Sequence, residues 1–102
     1  MHGLSKETYE KVLKVIDKYS NIQFKIFGSR AVGNAKPNSD IDIAVFGKLE
    51  EKEVVRIKND FDLLDIPYKI DLVFVEETSK QELKEAILKE GVDFWWVGFQ
   101  KN

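Results

Sequence analysis

Two aspartates, Asp40 and Asp42, alternate with isoleucine in the apolar run DIDIAVF. On an extended strand, residues i and i+2 project from one face, about 6.5–7 Å apart along the chain. Carboxylates at that spacing can reach a pair of divalent cations about 3.5–4 Å apart, with magnesium–oxygen contacts near ~2.1 Å. A third acid, Asp71, interrupts a second apolar run, YKIDLVFV. If the two runs are neighbours in a sheet, the three carboxylates share a face and suit two-ion phosphoryl transfer. Asp71 would then bind mainly one ion and accept the proton of an attacking hydroxyl. Taken singly, the acids are equally what a solvated strand face, or an ion pair with Lys69, would show.

Upstream lies Gly28-Ser29-Arg30, at the end of another apolar run, IQFKIFG. Gly28 permits close backbone approach and unusual dihedrals. If a short helix opens here, its free N–H groups can hold phosphate oxygens. Ser29 adds a hydroxyl donor, and Arg30 a charged fork for a triphosphate. The P-loop spacing is absent. An ordinary strand-to-helix turn would need no such role. GSR followed ten residues later by DID, and then by a strand acid, is far more specific than any part alone.

The rest of the chain must position these groups. Its 102 residues fit one domain, residues 1–102, with a single core. A hydrophobic content of 43% with 33% charged residues reads as globular. The net charge of −2 argues against a basic nucleic-acid-binding module. No cysteine is present, which excludes thiolate chemistry and Cys-type zinc sites, and the sole histidine, His2, sits by the terminus, where neither a His-based metal cluster nor a Ser-His-Asp triad is expected. No signal core or membrane-length apolar run occurs, so a cytoplasmic location without membrane contact is expected.

Periodicity gives the element order α-β-β-α-β-α-β. Residues 5–19 carry Tyr9, Val12, Leu13, Ile16 and Tyr19 at helical spacing, with Ser5 as N-cap and Leu4–Tyr9 as a staple. Ile22, Phe24 and Ile26 alternate as a strand, and Pro37 breaks the polar loop NAKPNS. In the next strand Ile41, Ile43 and Val45 oppose Asp40, Asp42 and Ala44. Residues 50–64 form a helix with Val54, Ile57, Phe61 and Leu64 on one face, before Pro67. Ile70, Leu72 and Phe74 oppose Asp71 and Val73. SKQE predicts a helix starting at Ser79 with a Ser79–Glu82 capping box, stopped by Gly91 as a C′ residue. The charge runs KLEEKEVVRIKND and SKQELKEAILKE read as solvated helix faces. The expected fold is α+β (α/β), a small mixed sheet with helices mainly over one face. The tail VDFWWVGF forms a short fourth strand; Phe94, Trp95, Trp96 and Phe99 either close the core or cover a partner.

The stretch FGSRAVGNAKPNSDIDIAVF resembles the signature of the polymerase-β nucleotidyltransferase superfamily. With YKIDLVFV, the chain is similar to the minimal nucleotidyltransferases of HEPN–MNT pairs. The resemblance implies a polymerase-β-like core, with Gly28 and Ser29 binding phosphate, Asp40 and Asp42 binding metal, and Asp71 as third carboxylate. Arg30 and Ser39 match flanking positions; Ser39 would contact phosphate or brace the loop. Val32 stands where many such proteins carry a second Arg. The added acceptor or base-binding domain of larger members is expected to be absent.

The resemblance further implies two Mg2+ ions, with Mn2+ able to substitute, and ATP as substrate. AMP would pass to a hydroxyl, a tyrosine of a helical HEPN toxin, making this chain an antitoxin that forms a hetero-oligomer. One alternative is a non-catalytic antitoxin that neutralises a HEPN RNase by covering it. Another is transfer to a small molecule such as an aminoglycoside, disfavoured without an acceptor domain.

Overall fold

The computed structural model describes residues 3–93. His2 and the aromatic residues Phe94, Trp95, Trp96 and Phe99 lie outside the described residues. The elements are α1 (Lys6–Asp17), β1 (Phe24–Phe27), α2 (Ser29–Val32), β2 (Ile41–Val45), α3 (Glu51–Asp62), β3 (Ile70–Phe74), a 3-10 turn (Val75–Glu77), α4 (Gln81–Glu90) and β4 (Val92–Asp93).

The strands form one mixed sheet in the order β3-β2-β1-β4. β1 runs antiparallel to β2 and β4, while β2 and β3 are parallel. Alternation in the sequence decides which way each strand faces. Ile26, Ile41 and Ile43 are fully buried on one side, against Tyr9 and Val12 of α1 and Ile57 of α3. Each such side chain gains about 1.5–3 kcal/mol on burial. Turning β2 by one residue would forfeit that gain and bury Asp42 instead.

The opposite face is divided. Its apolar part joins Phe27, Ala44 and Val73 to Val75, Leu83 and Ile87, so α4 covers the sheet from that side. The helices α1 and α3 hold the larger face, as expected, while α4 caps the side that also bears the acids. Asp42 and Asp71 stand at the starts of β2 and β3, each two residues before a residue of the apolar part, Ala44 and Val73, with Phe27 of β1 directly beside Asp42.

Local signals held unevenly. Ser5 caps α1, its Oγ accepting from the Thr8 N–H at 3.2 Å. The expected Ser79–Glu82 box does not form. The chain leaves the 3-10 turn extended, α4 begins at Gln81 with Lys80 as N-cap, and no side chain caps it. A capping box forms instead at α3, between Glu50 and Glu53. α3 ends at Asp62, short of the expected Leu64 and well before Pro67. Gly91 is not a left-handed stop. It is extended, at φ −65° and ψ 141°, and passes directly into β4. A Cβ there would sit 2.5 Å from the Ile87 carbonyl oxygen, so close approach is what glycine provides.

The turn that follows α1 is also tied to α3 by a polar contact, the Tyr19 hydroxyl donating to Asp60. Burial, followed by this bond and the charge of Asp60, pushes the phenol up to about 12 from 10.0. The fold therefore holds the neutral phenol. Its contribution is complete below pH 10 and is lost as the pH rises towards 12. Urea unfolding should show a stability decline over that window that is smaller in Tyr19→Phe. Equal declines in the two proteins would refute this role for Tyr19.

Candidate active site

The sheet register brings the acids together. Phe27 pairs with Asp42, and Asp42 pairs with Asp71 across the parallel β2–β3 ladder. Adjacent strands lie about 4.8 Å apart, so these two carboxylates leave one face side by side. Asp40 directly precedes β2, where the Ile41 N–H donates to the Lys69 carbonyl at 2.9 Å and continues the pairing. Asp40 and Asp71 are exposed, and Asp42 is half-buried.

Asp42 carries the electrostatic strain of the cluster. Burial first, then the charges of Asp71 and Asp40, raise its carboxyl above the usual range, and Arg30 only partly offsets them. Among the described residues, none of the three acids has a salt-bridge partner. A set of oxygen donors without an ion-pair partner, only partly offset by Arg30, fits a hard divalent cation such as magnesium or manganese. Among the described residues, no three acidic or histidine side chains already close on one point as a metal cage. The acids are aligned along one edge of the sheet without being drawn into a shell.

Beside Asp42 stands the turn. Gly28 adopts φ 74° and ψ −153°, a conformation essentially confined to glycine. A Cβ on Gly28 would lie 2.5 Å from Asp42 Oδ2, so the backbone runs against the carboxylate. The N–H groups of Ala31 and Val32 both donate to the Gly28 carbonyl and wind the short α2. Among the described residues the turn and loop backbone hydrogen bonds include none donated by the Gly28 or Ser29 N–H. The turn can therefore offer amide donors and the Ser29 hydroxyl next to the acids.

Arg30 is placed otherwise than the sequence suggests. It is only 2% exposed. Its Nε and Nη2 donate to the Ser39 carbonyl at 3.2 and 2.7 Å, and Nη2 also reaches the Pro37 carbonyl at 3.4 Å. The guanidinium lies over the Tyr68 ring, 4.8 Å from its centroid. It is directed at the loop and not at solvent, where a triphosphate fork would have to be. Ser39 also braces that loop, its Oγ accepting from the Lys36 N–H at 2.9 Å. Val32 is half-exposed on α2. Nothing in the sequence pattern singles out Tyr68; its position just ahead of the Asp71 strand is the only available hint. A cleft of about 610 Å3, lined partly by Ile16, Tyr19, Phe24 and Asp93, opens at the other end of β1.

The family profile described as Polymerase beta, Nucleotidyltransferase matches residues 10–95. The chain belongs to that family. A probable protein adenylyltransferase MntA of Haemophilus influenzae is 37% identical over 65 residues, covering 62% of this chain and 56% of the relative. The matched segment thus spans little more than half of that relative's length. Among solved structures, a toxin–antitoxin with AMP-PNP superposes with a TM-score of 0.63 at 26% identity, over 85% of this chain and 72% of that one. A mutant of the toxin–antitoxin MntA-HpeT gives a TM-score of 0.60 at 23% identity over 85% and 71%, a likeness of fold. The expected polymerase-β-like α+β core is therefore established, and with it the resemblance to the minimal members of the nucleotidyltransferase family.

Proposed function

We propose that this chain is an antitoxin that transfers AMP from ATP to a hydroxyl of its partner toxin, a tyrosine of a helical HEPN protein. The observation carrying this reading is the register that sets Asp42 beside Asp71 with Asp40 just ahead of them. Family membership supports the reaction type. The relative's name, a protein adenylyltransferase, and a similar structure's AMP-PNP support the nucleotide and the protein acceptor.

In this mechanism Gly28 and Ser29 hold phosphate oxygens through backbone N–H groups and the Ser29 hydroxyl. Asp40 and Asp42, joined by Asp71 for one ion, would hold magnesium, which supplies Lewis-acid stabilisation of the entering and departing oxygens. The acceptor oxygen bonds to the α-phosphorus in line, the bond from that phosphorus to the bridging oxygen breaks, and pyrophosphate departs. Asp71 takes the hydroxyl proton. Arg30 and Ser39 brace the loop that delivers Asp40.

Incubating the chain and its toxin with ATP labelled at the α- or the γ-phosphate tests the reading. Label from the α-position should stay on the toxin and label from the γ-position should not. A folded Asp42→Ala protein that labels the toxin at the parental rate would overturn the proposal. The toxin–antitoxin assemblies among the similar structures also favour a second reading, neutralisation by cover alone. Growth rescue separates the two: if Asp40→Ala and Asp42→Ala chains still protect cells, binding suffices.

A further inference from the structure

Three segments that build the acidic edge meet at one guanidinium. Arg30 belongs to α2, immediately after the Gly28–Ser29 turn. Its donors hold the carbonyls of Pro37 and Ser39, and Ser39 is the residue directly before Asp40. Its central carbon lies over the ring of Tyr68, which precedes Lys69, whose carbonyl receives the Ile41 N–H beside Asp42 and leads into the Asp71 strand. Gly3 closes over the same group, where a Cβ would come within 3.1 Å of Nη1. At 2% exposure such a charge is costly unless hydrogen-bonded, and the Pro37 and Ser39 carbonyls meet that need.

We propose that Arg30 and Tyr68 form a positioning unit that sets Asp40 against Asp42 and Asp71, and so fixes the affinity of the acidic edge for a divalent cation. The inference rests on the proposed function for the identity of the metal-binding edge. Arg30 acts through Asp40 and does not touch the nucleotide. The contacts ask for a cation that donates to two carbonyls from a fork while its centre lies over a ring. Lysine provides one ammonium in place of the fork and cannot reproduce both contacts. Tyr68 contributes its ring face, so phenylalanine can replace it and leucine cannot.

Mn2+ binding to the full chain, followed by electron paramagnetic resonance without nucleotide, gives a readout independent of turnover. Arg30→Lys and Tyr68→Leu should each weaken Mn2+ binding about tenfold, and Tyr68→Phe should restore it to within about twofold of the parent. The double variant should lose much less than the product of the two single losses, because both act through one unit. In the transfer assay, the metal concentration for half-activation should rise while KM for ATP at saturating metal stays within about twofold. Parental Mn2+ affinity in Tyr68→Leu, folded by circular dichroism, would overturn the inference even if Arg30→Lys fails to fold. A raised KM for ATP with unchanged Mn2+ affinity in Arg30→Lys would overturn it too, by placing the guanidinium on the nucleotide. If the parent itself binds no Mn2+, the metal-assisted mechanism fails and this inference falls with it. If the parent binds Mn2+ and the folded variants bind it equally well, the inference alone fails.

Discussion

Asp42→Asn should reduce nucleotidyl transfer by roughly 10^3-fold or more, yet make the metal-free chain more stable. The two effects share one cause. Asp42 stands half-buried between Asp71 and Asp40, and its carboxyl is raised by burial and then by those two charges. For an acid with a raised value, the folded state holds its proton more tightly than the unfolded state does. The destabilisation is therefore absent at low pH and sets in as the pH passes through the unfolded value towards the folded one. At neutral pH the parent carries that cost, and asparagine removes it while keeping the shape. A gain of a few degrees in Tm is expected for a domain of this size, where about 1 kcal/mol moves Tm by roughly 4–8 °C. Losing a ligand of the cation that would stabilise the reacting phosphate costs about 4 kcal/mol of barrier or more, by comparison with other charge-stabilising groups. Thermal melts with and without magnesium provide the check. The parent should gain stability from magnesium by mass action, and Asp42→Asn should gain little. Were Asp42→Asn less stable than the parent without metal and equally responsive to magnesium, Asp42 would be a structural residue and not a ligand.

That the chain would hold an acid at such a position was visible in its sequence. The alternation of Ile41, Ile43 and Val45 against Asp42 and Ala44 assigns faces without any coordinates, because burial rewards only one orientation of the strand. The same alternation hints at the second apolar patch. Ala44 and Val73 follow the acids on their own face, and α4 rests on them through Leu83 and Ile87. The pairing of Asp42 with Asp71 was not legible, because register between strands separated by a helix is set by packing that no local pattern records. Arg30 shows the same limit. Beside Gly28 and Ser29 an arginine reads as an exposed fork. Its burial depends on Tyr68 and on two loop carbonyls brought to it by the fold. The Ser79 capping box failed for a more local reason, since the spacing was right but the extended exit from the 3-10 turn delays α4 to Gln81.

Gly28→Ala should act on the site through two separable penalties. The first is conformational: at φ 74° and ψ −153° a Cβ is strained wherever it points, at a cost of about 1–3 kcal/mol. The second is steric and local. The new Cβ would meet Asp42 Oδ2 at 2.5 Å and Cγ at 3.4 Å, so the carboxylate must swing away from the turn. A metal ligand displaced by about 1 Å can cost about 10^2-fold in rate, even when the chain still folds. Gly33 supplies the control. It also has a positive φ, 84°, but nothing lies within 4 Å of a Cβ built there. Gly33→Ala should therefore lower stability without displacing Asp42, keeping transfer and Mn2+ binding close to parental below its melting transition. Gly28→Ala should lose both, about 10^2-fold or more in transfer, at temperatures where circular dichroism still shows it folded. If the two alanine variants lose activity in parallel with their stability, the close contact between turn and carboxylate has no part in the chemistry. If only Gly28→Ala loses metal, the turn and the acids form a single device, with the missing side chain at Gly28 leaving room for the Asp42 oxygen to face a cation.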